Sequence, residues 1–130
     1  MDNKLDNGLI YADLSYKIIG CLFDVFDELG YGHKEKYYEN ALVELFKEKG
    51  LKYERQLYTP LMFMNKNVGK YYFDFLIDGK IVLELKQAKR FSKKHIDQIY
   101  SYLKAQNLKL GLLAHFTPDG VIFKRIVNLY

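Results

Sequence analysis

Two apolar stretches, Lys80–Lys86 and Leu108–Phe116, are separated by a segment of helical periodicity running from about Ser92 to Gln106. This arrangement restricts the fold more than any other feature of the chain. A connection through a helix lets two strands lie parallel, and such crossovers are almost always right-handed. Upstream of Lys80 the stretches are joined by short turns, so those strands pair antiparallel. Together the two patterns specify a mixed sheet.

The remaining elements follow from period and punctuation. Leu14, Ile18, Cys21, Leu22, Val25, Phe26 and Leu29 recur at helical spacing and predict a helix over about Asp13–Leu29, ended by Gly30-Tyr31-Gly32. A second helix is predicted over about Lys34–Lys49, with Tyr38, Ala41, Leu42, Leu45 and Phe46 on one face and Gly50 as its C-cap. From Leu51 the period shortens. Leu51–Tyr58 reads as a strand that resumes as Leu61–Met64 after Pro60, with Asn65-Lys66-Asn67 as a turn. Val68–Ile77 and Lys80–Lys86 form a hairpin about Asp78-Gly79, and Ser92 is placed to cap the third helix. After Leu108–Phe116, Thr117-Pro118-Asp119-Gly120 turns the chain into a last strand, Val121–Val127. The expected class is α/β in the order α-α-β-β-β-α-β-β, one domain over residues 1–130, with residues 1–12 a poorly ordered lead-in.

Composition excludes several classes. The 130 residues are 49% hydrophobic and 28% charged, which suits one globular domain with a single core. No apolar run approaches the ~18 residues needed to cross a bilayer, and the first residues carry no signal-like apolar stretch. One cysteine, Cys21, excludes an internal disulfide framework and a cysteine-cluster metal site. A cytoplasmic location is expected. Twenty basic against sixteen acidic residues give +4, compatible with a nucleic-acid partner but too mild to require one.

The chemistry concentrates around the Asp78-Gly79 turn. Glu84 and Lys86, two apart on a strand, share a face. A two-residue hairpin loop would place Asp74 on the opposite face; an odd loop, such as a type I turn with a glycine bulge, brings Asp74 beside them. A bulged or three-residue connection is therefore expected. An ordinary amphipathic strand, with Ile81, Leu83 and Leu85 inside and Glu84 and Lys86 in water, accounts for the same pattern. Glu35 at the start of helix two suits either the positive end of the helix dipole or a site. Gln98, with Tyr102 one turn on and His95 before it, lies off the stripe of Ile96, Ile99, Tyr100 and Leu103 and is either surface polar or functional. His33, His95 and His115 have no metal-ligand spacing. Cys21 reads as core, as do most of the twelve tyrosines, though some could stack on unpaired bases.

Gly32-x-x-Glu35-x-x-Tyr38 resembles the signature of the GxxExxY family, a branch similar to the PD-(D/E)XK nuclease superfamily. The likeness continues through Glu39-Asn40-Ala41-Leu42, Gln56, Asp74, Glu84-Leu85-Lys86, Gln98, Tyr102-Leu103-Lys104 and Lys124-Arg125-Ile126-Val127, covering about Leu14–Asn128. Two positions depart from it: Phe73 stands where the superfamily has proline, and His115 where the family has asparagine.

The resemblance implies a restriction-endonuclease-like core, a mixed sheet flanked by helices, and Mg²⁺- or Mn²⁺-dependent cleavage of DNA or RNA. It implies Glu35, Asp74 and Glu84 as metal ligands, with Lys86 in the same site and Gln98 as the helical motif residue beside Tyr102; Lys86, two residues from Glu84, is placed to act on the attacking water, and the Leu85 carbonyl between them is a further candidate ligand. The donor set agrees, because hard oxygens favour such ions and a dication relieves the repulsion of clustered carboxylates. Lys86, Lys89, Arg90, Lys93 and Lys94 crowd a stretch without acids ahead of helix three. Cations there oppose the helix dipole, so phosphate binding explains them better than helix stability does, although a solvated charge run remains an alternative. Two other readings stay open: a nucleic-acid-binding module with little catalysis, and a regulatory subunit working as a homodimer or with a partner protein.

Overall fold

The computed structural model describes residues 5, 6 and 9–129. Two short strands, β1 (Leu5–Asp6) and β2 (Leu9–Ile10), pair antiparallel ahead of α1 (Ala12–Leu29) and α2 (Glu35–Glu48). These strands fall within the lead-in expected over residues 1–12, of which residues 1–4, 7 and 8 lie outside the described residues. Ile10 is buried, and its carbonyl accepts a 2.6 Å hydrogen bond from Arg125 Nη2.

Ile18, Cys21, Leu22 and Val25 form the buried stripe of α1. Leu29, expected on that stripe, is exposed in the last turn, where Gly30 at φ 76 redirects the chain. The C-cap of α2 is Lys49, one residue before the expected Gly50. Gly50 occupies the left-handed position just beyond, at φ 69, so that Leu51 N–H reaches the Phe46 carbonyl at 2.9 Å.

The main sheet has the order β3 (Tyr53–Phe63), β4 (Lys66–Ile77), β5 (Ile81–Lys86), β6 (Leu110–Thr117), β7 (Gly120–Val127). α3 (Lys93–Gln106) connects β5 to β6, which are parallel; every other neighbouring pair is antiparallel. The mixed α/β architecture read from the sequence is the one found. Ser92 caps α3 by accepting from His95 N–H.

Two turn assignments need correction. Pro60 does not interrupt a strand but lies within β3, paired with Lys70. Among the described residues β3 pairs with β4 alone, and an edge strand tolerates a residue that cannot donate. The following turn is Met64-Asn65 rather than Asn65-Lys66-Asn67: both residues have positive φ, and Phe63 pairs with Lys66 across a two-residue loop.

The sheet separates two apolar layers. On one side α1 and α2 pack Leu22, Tyr38, Leu42 and Phe46 against Phe75, Leu83 and Leu112. On the other, Ile99 and Leu103 of α3 pack against Phe73, Val82 and Leu113. β5 is buried along Ile81–Leu85, so it is not the half-solvated strand that an amphipathic pattern suggests. Burial on both faces is what a central, partly parallel strand undergoes.

Candidate active site

The β4–β5 hairpin closes through Asp78, Gly79 and Lys80, with Ile77 paired to Ile81. This is the three-residue connection that the parity argument requires. Its hand differs from a type I turn, because Asp78 (φ 54) and Gly79 (φ 65) are both left-handed, and Lys80 N–H donates to the Ile77 carbonyl at 3.0 Å.

Counting back from Phe75–Leu83, the last ladder pair, brings Asp74 opposite Glu84. Here the carboxylates replace the ladder. Asp74 N–H donates to Glu84 Oε1 at 3.0 Å, and Leu85 N–H donates to Asp74 Oδ2 at 2.8 Å. β4 also changes face at this point, since Phe73 belongs to the α3 layer and Phe75 to the α1–α2 layer. Across from Asp74, β3 breaks its pairing at Gln56, which takes φ 54 between the pairs Arg55–Phe75 and Leu57–Phe73. The two strands twist over together, opening a fork that two carboxyl groups fill.

Around this fork the structure gathers more than the motifs suggested. Lys86 Nζ stands 3.7 Å from Glu84 Oε2. Glu35, first residue of α2, brings its charge to bear on Glu84 and accepts Gln87 N–H on Oε2 at 2.9 Å, so α2 is anchored just past β5. The Gln87 amide also donates to the His33 carbonyl. Tyr38 has a structural role: its hydroxyl donates to the Gly30 carbonyl at 2.6 Å and accepts His33 N–H at 3.2 Å, closing the loop in which Gly32 has φ 103.

Glu39 entered the sequence reading only as part of the family likeness and was given no role, although Glu35 and Glu39 are four apart and must share a helix face. It is buried and interacts with the Asp74 carboxyl group. Arg55 Nη2 and Gln56 Nε2 donate to Glu39 Oε1 at 3.3 and 3.1 Å. Asp74 therefore stands between two other acids, with Arg55 beyond one and Lys86 beyond the other.

Burial, then the charge of Glu84, pushes the Asp74 pKa up to about 8. Burial likewise raises Glu84 and Glu39, in the latter with help from the charge of Asp74. His95 and His115 are lowered by burial, with the nearby Lys86 charge adding to it. His115 is fully buried, its Nδ1 on the Ala88 carbonyl at 2.8 Å, its ring against Phe91.

Among the described residues, no three His, Cys, Asp or Glu side chains gather closely enough to enclose a metal ion by themselves. The Asp74–Glu84 pair, all oxygen and short of positive charge, still fits a hard dication that retains waters as ligands. The other sequence-predicted residues lie to one side. Gln98 and Tyr102 line a groove between α3 and the β3–β4 hairpin, and the Tyr102 ring packs on Phe73 at 5.0 Å. Lys89, Arg90, Lys93 and Lys94 are exposed. Lys93 is paired with Asp97 at 2.6 Å, an acid just downstream of the acid-free stretch.

The family model of the PD-(D/E)XK nuclease superfamily matches residues 12–126. The chain belongs to the PD-(D/E)XK nuclease superfamily. The crystal structure of SSO0001 is similar to this PD-(D/E)XK protein over 94% of its chain and 79% of the other, at 15% identity and a TM-score of 0.51. That likeness bears on the fold alone. An alkaline exonuclease (LHK-Exo) from Laribacter hongkongensis aligns over 88% of this chain and 82% of its own, at 11% identity and a TM-score of 0.47. No curated protein matches the sequence significantly. No helix among the described residues is long and apolar enough to cross a membrane.

Proposed function

We infer that this PD-(D/E)XK protein, of the GxxExxY branch, is a cytoplasmic Mg²⁺- or Mn²⁺-dependent nuclease hydrolysing phosphodiester bonds of DNA or RNA. The observation that carries the reading is the Asp74–Glu84 pair at the strand fork with the Lys86 ammonium 3.7 Å from Glu84. Asp74 and Glu84, with the Leu85 carbonyl and Glu35, are the residues that would hold the ion. When bound, such an ion polarises the scissile phosphate and acidifies water. Lys86, tethered to Glu84, orients the attacking water and offsets the charge that builds on the phosphoryl oxygens. Gln98 positions water or substrate. Lys89, Arg90, Lys93 and Lys94 attract the phosphate backbone, beside Tyr102.

One observation favours a second reading, a nucleic-acid-binding module with weak turnover: the Glu35 carboxylate is engaged by Gln87 N–H and completes no ligand trio. A homodimer or a partner protein would add to substrate recognition. The test incubates the protein with single- and double-stranded DNA and RNA, in Mg²⁺, Mn²⁺ or EDTA, beside Asp74→Ala and Lys86→Ala. Cleavage is expected only with the dications, falling about 10²-fold or more in either variant. Cleavage that persists in EDTA or in both variants refutes the mechanism. Binding without cleavage throughout selects the module.

A further inference from the structure

Six non-glycine residues among those described have positive φ, and five of them stand at helix ends or in turns: Tyr11, Met64, Asn65, Asp78 and Asn107. Gln56, at φ 54, is the exception, because it lies inside β3. Glutamine lacks the short polar side chain that eases this conformation in asparagine or aspartate, so the geometry is strain that something else offsets. No turn requires it, since β3 resumes its ladder with β4 at the next residue, Leu57.

What the reversal achieves is visible in the side chains. Successive residues of a strand point to opposite faces. Arg55 and Gln56 instead meet on one atom, with Arg55 Nη2 3.3 Å and Gln56 Nε2 3.1 Å from Glu39 Oε1. Arg55 Nη2 also donates to Asn40 Oδ1 at 3.1 Å, so β3 grips two consecutive residues of α2. Glu39 is buried, and its carboxyl group is in hydrogen-bond contact with that of Asp74. Asp74 is thereby met from two sides, by Glu39 from α2 and by Leu85 N–H, which donates to Oδ2 from β5. The Arg55 ion pair offsets the charge that Glu39 would otherwise add to the fork.

We propose that Gln56 is a positioning residue for Asp74: its left-handed backbone turns the amide onto Glu39, and Glu39, so held, fixes the direction in which Asp74 presents its carboxyl group. The assignment rests on the metal-dependent reading of the fork and adds a partner behind the pair that would hold the ion. Carboxylates that ligate a metal are themselves held by hydrogen bonds, and removing such a partner weakens the ion about 10- to 100-fold.

Mn²⁺ is the probe, its affinity read from the electron paramagnetic resonance signal of the free ion with no substrate present. Gln56→Gly keeps a backbone that glycine adopts freely, removes the amide and changes no charge. Its Mn²⁺ affinity is expected to fall about tenfold. Its melting temperature in EDTA stays close to that of the unmodified protein, because relief of strain offsets the lost hydrogen bond. Glu39→Ala is measured alone and combined with Gln56→Gly. The double variant binds Mn²⁺ no more weakly than Glu39→Ala, since Gln56 acts through Glu39. The Gln56→Gly comparison stands by itself and needs no variant at Glu39 to fold. Losses that add in the double variant overturn the proposal, because Gln56 then acts without Glu39. So does a loss of affinity matched by a collapse of the melting temperature, which returns Gln56 to a structural role. The two readings fail separately: an unmodified protein that binds no Mn²⁺ removes the metal site and this inference with it, whereas Mn²⁺ binding indifferent to Gln56→Gly removes the inference alone.

Discussion

Asp74 is a carboxyl group that the fold holds protonated near neutrality. Its ordinary value is 3.8, and in the folded chain it rises to about 8 through burial and the Glu84 charge. A raised acid stabilises the fold fully below its unfolded value, and that stability is lost as pH rises through the folded value. Below pH 6.5 the lowered His95 and His115 work in the opposite direction, so the informative window is pH 6.5 to 8. In EDTA, the melting temperature should fall across this window, and Asp74→Asn should flatten the fall. Mg²⁺ should stabilise increasingly over the same range, because a cation replaces the proton. Scanning fluorimetry of both proteins at several pH values checks this, and a melting temperature in EDTA that rises equally in both would contradict it.

The same residues show what sequence can and cannot convey. Glu84 and Lys86 were legible because a strand has period two, and Asp74 because hairpin parity translates into facing side chains. The place of Glu39 in the site was not, since a glutamate on a helix looks like solvent surface until Arg55 and Gln56 are seen to reach it. That meeting depends on the left-handed Gln56 and the shared twist of β3 and β4, which no local pattern records.

At the scale of elements, α3 approaches β6 closely at Gly111. A Cβ on Gly111 would lie 2.5 Å from Ile99 Cγ2, too close for the helix to keep its place. Gly111→Ala should therefore cost about 1–3 kcal/mol by forcing the helix outward. Chemical denaturation measures it as a lowered midpoint. A midpoint unchanged within error would show that α3 has slack. The order and pairing of elements were readable because the α3 crossover and the Asp78-Gly79 turn each leave a sequence mark. Pro60 misled because proline marks turns in general, and the sequence alone did not identify β3 as an edge strand able to carry it.

Across the whole molecule, net charge says less than where the charges go. The +4 total averages the acids of the fork with the exposed cations that lead into α3. Binding of an oligonucleotide should weaken with salt, and the slope of log K against log salt should shrink by about 0.7 for each cation removed from a single strand's phosphates. Lys89→Ala, Arg90→Ala and Lys94→Ala combined should reduce that slope by about 2. Lys93→Ala alone should change it least, because Asp97 already holds that ammonium. Affinity titrations at several salt concentrations decide the matter, and a slope untouched by the triple variant would return these residues to the role of a solvated charge run.

The bond from Gln87 N–H to Glu35 joins positions 52 residues apart. Its consequence is one of timing. Local turns suffice to align Asp74, Glu84 and Lys86, whereas Glu35 and Glu39 arrive only when a long loop closes, which is slow and entropically costly. The full acidic set thus depends on contacts of long sequence separation. The same bond is exposed to local opening of the first two helices, a fluctuation that would part Glu35 from the strand acids and leave the sheet intact.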